Sequence, residues 1–262
     1  MSKVISADGT PISYQRRGDG RPVILVGGAL NDQQSSAPLA AALAPHLTAI
    51  SYDRRGRGAS GDTPPYAVER EIEDLAALIA EAGGRAGVCG FSSGSVLALD
   101  AVAAGLPISG LGLFEPPFRL PDGPQLPPDY QEHVTRLVTG GGLGEAVEYF
   151  MTRAVGLSVE AVAQMRRSPA WSSLERLAPT LIYDGWLLLD PALPVARLAT
   201  IAVPVLVLDS AASAPWLRNS ARATAQALPD ASHRSLDGTF HQIPPEILAP
   251  VLVELFTSLP QT

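Results

Sequence analysis

The run Ala86-Gly87-Val88-Cys89-Gly90-Phe91-Ser92-Ser93-Gly94-Ser95-Val96-Leu97-Ala98-Leu99 joins a short apolar stretch to an Ala/Leu/Val-rich helical pattern through Gly90-x-Ser92-x-Gly94. A serine held in the sharp turn between a buried strand and a helix takes a strained backbone. Side chains two residues to either side of it would collide with that strand and helix. Gly90 and Gly94 remove those side chains. The Ser92 hydroxyl is then exposed at the carboxyl edge of a sheet, backed by a helix N-terminus that favours developing negative charge. The same residues also fit a small-residue turn without chemistry. The strand and helix patterns on either side are the context that favours a nucleophile.

Working outward, strand and helix patterns alternate. Residues 3–6 and 11–16 read as a hairpin turned by Asp8-Gly9-Thr10. Val23-Ile24-Leu25-Val26 is a continuous apolar run of the buried parallel type, closed by Gly27-Gly28. A helix over 36–46 and a strand over 48–52 lead into the loop Asp53-Arg54-Arg55-Gly56-Arg57-Gly58-Ala59-Ser60. In that loop an arginine, Arg54 or Arg57, is expected to tie the turn down through carboxylates or carbonyls, a substrate carboxylate being the other reading. Ile72, Leu75, Leu78 and Ile79 recur at helical spacing up to Gly83-Gly84. The helix after Ser92 ends at Gly105, and residues 108–114 form another buried strand. The rhythm predicts an α/β fold with a mostly parallel, doubly wound sheet.

After Glu115 the rhythm breaks. Pro116, Pro117, Pro121, Pro124, Pro127 and Pro128 make a stiff connector. Helical patterns follow near 130–139, 143–155, 159–167 and 171–189, with no strand pattern among them. The expected organisation is a core formed by residues 1–117 and 201–262 with an inserted helical lid over 118–200. Trp171, Tyr183, Trp186 and Trp216 are candidates to line the gap between lid and core. Strand and helix alternation resumes at Val203-Pro204-Val205-Leu206-Val207-Leu208 with a helix near 216–228 and a strand near 233–236. A last helix opens at Pro244-Pro245 and is expected to bury Ile247, Leu248, Val251, Leu252, Leu255 and Phe256.

At 262 residues with 46% hydrophobic and 17% charged side chains, the composition is that of a well-packed soluble globule. A formal charge of −7 argues against nucleic acid or anionic membranes as partners, and leaves a small molecule as the expected one. The single cysteine, Cys89, permits no internal disulfide and falls in a buried-strand pattern. The polar stretch from Met1 to Tyr14 holds no signal-peptide core, and no apolar run is long enough to span a membrane. A cytoplasmic location is therefore expected. No spacing of His, Cys or carboxylates suggests a metal site, and the chemistry outlined below needs no cofactor.

Taken together, Gly27-Gly28, the Asp53–Ser60 loop, the Ser92 turn and Phe240-His241 resemble the α/β-hydrolase superfamily, in its serine-nucleophile branch, over nearly the whole chain. The resemblance implies that fold with a helical lid, Ser92 as nucleophile and His241 as base. It also implies an oxyanion hole from the main-chain N–H groups of Ala29 and Ser93. The family's loop after the first buried strand usually opens with His. Gly27 stands there, which is expected to widen the pocket or loosen the loop without removing main-chain donors. His46, His133 and His233 read as surface or packing residues.

The acid departs from the family pattern. The segment Leu208-Asp209-Ser210-Ala211-Ala212-Ser213 places Ser213 where an Asp is usual. Glu115, at the end of the strand before the proline connector, is the expected substitute, a position some branches of the superfamily use for the acid, and Asp209 is the alternative. A third possibility is that no acid serves the histidine. The expected activity is cofactor-independent hydrolysis of a small ester, thioester or amide. Alternatives are an acyltransferase or cyclase using the same Ser-His machinery, or a ligand-binding protein with a slow or inactive site.

Overall fold

In a computed structural model, which describes residues 2–260, eight strands form one sheet. They are β1 (Ser2–Ile5), β2 (Pro11–Arg17), β3 (Arg21–Val26), β4 (Leu47–Tyr52), β5 (Ala86–Phe91), β6 (Ile108–Phe114), β7 (Val205–Ser210) and β8 (Ala231–Leu236). The helices are α1 (Ala37–Leu43), α2 (Val68–Glu81), α3 (Ser93–Ala103), α4 (Tyr130–Thr139), α5 (Leu143–Tyr149), α6 (Val159–Arg166), α7 (Trp171–Leu177), α8 (Leu181–Leu187), α9 (Val195–Leu198), α10 (Pro215–Ala227) and α11 (Pro245–Ser258).

The strand order is β1-β2-β4-β3-β5-β6-β7-β8. The β1 and β2 pairings are antiparallel, and every pairing from β4 to β8 is parallel. The chain steps from β3 to β4 on one side, then returns to place β5 on the other side of β3. The carboxyl ends of β3 and β5 therefore lie together at the point where the strand order reverses, the usual crevice for a ligand in such sheets. Their register brings Val26 opposite Gly90.

Alternation along β3 explains the two-sided core. Ile24 and Val26 pack on one face with Leu75, Leu78, Val96 and Leu99, while Val23 and Leu25 pack on the other with Leu43, Leu47, Leu252 and Phe256. A third cluster, including Val134, Val147, Val162, Trp171 and Leu181, lies within the helical segment between β6 and β7 and reaches Leu30 of the core. An isolated bridge between Arg119 and Ala192 joins the two ends of that segment.

Two helical patterns are subdivided. The 143–155 pattern runs as α5 and then as a π-helix, Phe150–Val155. The 171–189 pattern breaks at a 3-10 turn, Ala178–Thr180, whose middle residue Pro179 has no N–H to continue the ladder. The short α9 carries too few residues to leave a periodic signal.

A buried ion network couples these layers. Arg54 donates through Nε and Nη2 to both Glu71 oxygens, each at 2.6 Å, and through Nη1 to Asp184 Oδ1 at 2.8 Å. Arg57 Nη2 donates to Asp184 Oδ2 at 2.7 Å. The loop after β3 is held by the same pair: Arg57 Nη1 donates to Gly28 O at 2.5 Å and Asn31 O at 3.1 Å, and Arg54 Nη1 to Gly27 O at 3.3 Å. Ser93 Oγ completes the set with a 2.8 Å bond to Asp184 Oδ1. The Arg55 guanidinium takes Asp74 and Asp8 instead. The structural reading of the arginine loop is thus the one the geometry matches.

Burial works against the charge on Asp184, but the Arg57 and Arg54 guanidiniums outweigh it and hold its pKa below the ordinary 3.8. Asp184→Asn would leave two buried guanidiniums with Glu71 as their one carboxylate. Breaking a buried pair in this way costs about 3–5 kcal/mol. Urea unfolding at neutral pH should show that loss. A carboxylate with a lowered folded pKa contributes stability above the unfolded value, which is lost as pH falls through the folded one. The gap between wild type and Asp184→Asn should therefore narrow in acid; a gap below about 1 kcal/mol at pH 7 would reduce the network to a solvated surface pair.

Candidate active site

Ser92 occupies the turn between β5 and α3 with φ 53° and ψ −120°, a left-handed backbone that a serine adopts only when its surroundings impose it. The imposing contacts are local. Its N–H donates to Phe114 O at 2.8 Å on the neighbouring strand. A Cβ on Gly90 would lie 2.4 Å from Gly94 O, and one on Gly94 would lie 2.3 Å from Val26 O. Both glycines are therefore required by close backbone approach, as the motif implies.

His241 sits in the loop between β8 and α11, also at positive φ (53°). Its N–H donates to Ser213 Oγ at 2.8 Å, and its ring stacks on Phe114 with centroids 5.5 Å apart. The Nδ1 atom pairs with Glu115 Oε2. Glu115 is fully buried at the end of β6, with φ 47°. Its second oxygen accepts the Ser210 N–H at 2.8 Å, and its own N–H donates to Leu208 O at 2.9 Å. Both contacts lie on β7, so the parallel β6–β7 pairing orients the carboxylate. Ser213, where the family's acid is usual, holds the backbone of the histidine loop.

Asp209 faces elsewhere. Its carboxylate takes His233 Nε2 at 2.6 Å, Ser235 Oγ at 2.5 Å and Arg218 Nε at 3.2 Å. Of the two candidate acids, the structure brings Glu115 to His241 and leaves Asp209 with β8 and α10.

Ala29, Ser92, Ser93 and His241 line one cavity, together with Phe150, Trp216 and Asp184. Among the described residues no protein acceptor takes the N–H of Ala29 or of Ser93. Ser93 is the first residue of α3, where a helix has unsatisfied N–H groups and a partial positive charge. Gly27 does not leave its loop loose, because Arg54 and Arg57 bind three of that loop's carbonyls. Leu30, in the same loop, is left-handed at φ 56°. Leu30, Ser92, Glu115 and His241 are the four non-glycine residues with positive φ among those described.

Of the four expected cavity aromatics, Trp216 lines the cavity. Trp171 is buried within the helical segment, Tyr183 stacks on Tyr66 with centroids 4.1 Å apart, and Trp186 is 49% exposed. Arg119 and Asp184, which sequence patterns did not flag, also face the cavity. Their signal is three-dimensional: each is a buried charge with partners distant in sequence, Arg54 and Arg57 for Asp184 and Ala154 for Arg119. Among the described residues no group of three or more His, Cys, Asp or Glu side chains is placed to hold a metal ion, and no helix is long and apolar enough to cross a membrane.

The model of the alpha/beta hydrolase family matches residues 13–246. An alpha/beta hydrolase from Sphaerobacter thermophilus is 52% identical, with a TM-score of 0.94 over 97% of this chain and 100% of that one. An enol-lactonase from Burkholderia xenovorans, 22% identical over 98% of this chain and 100% of its own, shares the fold with a TM-score of 0.73. An uncharacterized hydrolase of Bacillus subtilis, YraK, is 36% identical over 100 residues, a match that spans 37% of this chain and 37% of that protein. With nearly nine-tenths of its length inside the family model, this chain belongs to the alpha/beta hydrolase family.

Proposed function

We propose that the protein is a cofactor-independent serine hydrolase that cleaves a small ester, thioester or amide through an acyl-enzyme. The observation that carries this reading is the convergence of strain. Ser92, Glu115 and His241, from three separate elements, each hold a left-handed backbone; Ser92 and His241 line one cavity, and Glu115 pairs with His241 from behind it. Strain of this kind costs about 1–3 kcal/mol per residue and persists where the surroundings impose it.

The chemistry follows from the contacts. With Glu115 ionised, the His241 Nδ1 proton is donated to Oε2, which leaves Nε2 as the base. Nε2 takes the Ser92 proton as Oγ adds to the acyl carbonyl. The tetrahedral oxyanion is received by the free N–H groups of Ala29 and Ser93, and the α3 dipole adds to that stabilisation. His241 then protonates the leaving group, the carbon–leaving-group bond breaks, and water repeats the sequence in reverse to release acid and free Ser92. The helices over 118–200 serve in this reading as a lid that excludes water from the oxyanion contacts.

A fluorophosphonate probe should label wild type and spare Ser92→Ala; adduct on Ser93 or Ser95 in the variant would reassign the nucleophile. Loss of a triad acid through its amide isostere lowers kcat about 10⁴-fold. Glu115→Gln should suffer a loss of that order while Asp209→Asn stays close to wild type, with both variants still folded by circular dichroism. A damaged Asp209→Asn beside an active Glu115→Gln would reverse the assignment. The lid role makes a third prediction. Phe150→Ala, which enlarges the cavity wall, should broaden the range of acyl chains accepted, whereas Trp186→Ala, at an exposed position, should leave it unchanged. Identical acyl-chain profiles for both variants would assign selectivity to the core loops.

A further inference from the structure

Among the described residues that line the cavity, three are of types that carry charge near neutral pH: Asp184, His241 and Arg119. Asp184 is committed to Arg54 and Arg57, and His241 to Glu115. Arg119 has no such partner. It is only 7% exposed, and no carboxylate among the described residues forms an ion pair with it. Asp122 lines an outer groove with Arg119 but does not pair with it. Burial lowers its pKa to about 10, which still leaves the guanidinium protonated at neutral pH.

The guanidinium is nonetheless rigidly placed. The Arg119 N–H donates to Pro191 O at 2.6 Å, which pins the backbone. Nη1 donates to Pro124 O at 3.3 Å, and Nη2 to Ala154 O at 2.5 Å, a carbonyl near the C-terminal end of the π-helix. One face of the group lies 3.9 Å from the Trp216 ring centroid. An arginine has five N–H donors, so two carbonyl bonds leave part of the fork free. A buried cation is costly unless it is compensated, and two neutral carbonyls and one aromatic face supply no counter-charge. Around it the cavity wall is largely apolar, with Leu126, Phe150, Val155 and Leu188.

We propose that Arg119 receives a carboxylate of the substrate, so that the acyl donor is a small ester or lactone carrying a free carboxylate. The inference rests on the reading of Ser92 as nucleophile. A planar fork matches a carboxylate, and one uncompensated cation suits a monoanion. A phosphate dianion would find no second arginine or lysine among the described residues that line the cavity.

The test compares mono-p-nitrophenyl esters of succinate, glutarate and adipate with the corresponding neutral methyl p-nitrophenyl diesters. Wild type should favour at least one charged ester over its neutral partner by about tenfold or more in kcat/KM, the scale of a hydrogen bond to a charged group. Arg119→Met should lose about tenfold to a hundredfold on that charged ester, chiefly in KM, while keeping its rate on the neutral one. Arg119→Lys should recover part of the preference. In parallel, monomethyl glutarate, succinate and adipate are titrated calorimetrically into Ser92→Ala and into Ser92→Ala/Arg119→Met. Binding that requires Arg119 supports the site even if wild type turns over no ester, an outcome that removes the hydrolase reading alone. The proposal is overturned if wild type prefers the neutral esters throughout, if Arg119→Met slows both classes equally, or if binding survives loss of the guanidinium. Should Arg119→Met fail to fold, the wild-type ratio and the response of Arg119→Lys decide.

Discussion

A single carboxylate, that of Asp184, joins the parts of this molecule that must stay in register. It accepts from Arg54, Arg57 and Ser93, and so links the loop after β4, the first turn of α3 and helix α8 of the segment between β6 and β7. The same two arginines hold the carbonyls of Gly27, Gly28 and Asn31. Charges buried this deeply are expensive in isolation, and their cost is offset only when geometry and partners are complete. The loop after β3, the turn at Ser92 and α8 are thus tied to one shared set of contacts. Gly27 stands where relatives of this fold usually have histidine, yet the loop is braced from beneath by guanidiniums rather than by its own side chain.

Strain is concentrated where those braces meet. Each left-handed residue at the site is paired with a neighbouring strand or loop that imposes its conformation. Ser92 is bound to Phe114 of β6, Glu115 to Leu208 and Ser210 of β7, and His241 to Ser213 after β7. The constraint thus passes from strand to strand along the carboxyl edge of the sheet. A loop alone could not hold three unfavourable backbones, but a parallel sheet with a rigid register can. The same register turns the neighbouring Asp209 toward His233 and Ser235.

Much of this was legible in the chain because the signals are local. Period-2 and continuous apolar runs marked the strands, and Gly90-x-Ser92-x-Gly94 marked the turn by what a side chain would hit. His241 followed from its place before the last helix. The choice between Glu115 and Asp209 was not local. Both are carboxylates at strand ends, and they differ in the face to which the β6–β7 register turns them. The Asp184 network was invisible for the same reason, since 130 positions separate Asp184 from Arg54. Pattern also failed where composition mimics function: the exposed Trp186 and the cavity-facing Trp216 read alike as sequence. The π-helix and the break at Pro179 alter hydrogen-bond ladders without much change in periodicity.

The segment Glu115-Pro116-Pro117-Phe118-Arg119 gives the position of Glu115 a further consequence. An acid at the end of β7 would be separated from the helical segment's entrance by a strand. An acid at the end of β6 is instead the residue from which that segment departs. Two prolines fix φ immediately after it, Pro116 O accepts from Ser220 Oγ at 2.6 Å, and Phe118 is buried in the core. Little freedom then remains between the carboxylate that holds His241 and Arg119, which lines the cavity. Any movement of the helices that shifts Arg119 must be absorbed within a few stiff residues or be felt at Glu115. The orientation of His241 and the placement of Arg119 therefore depend on one short piece of chain, not on two independent loops.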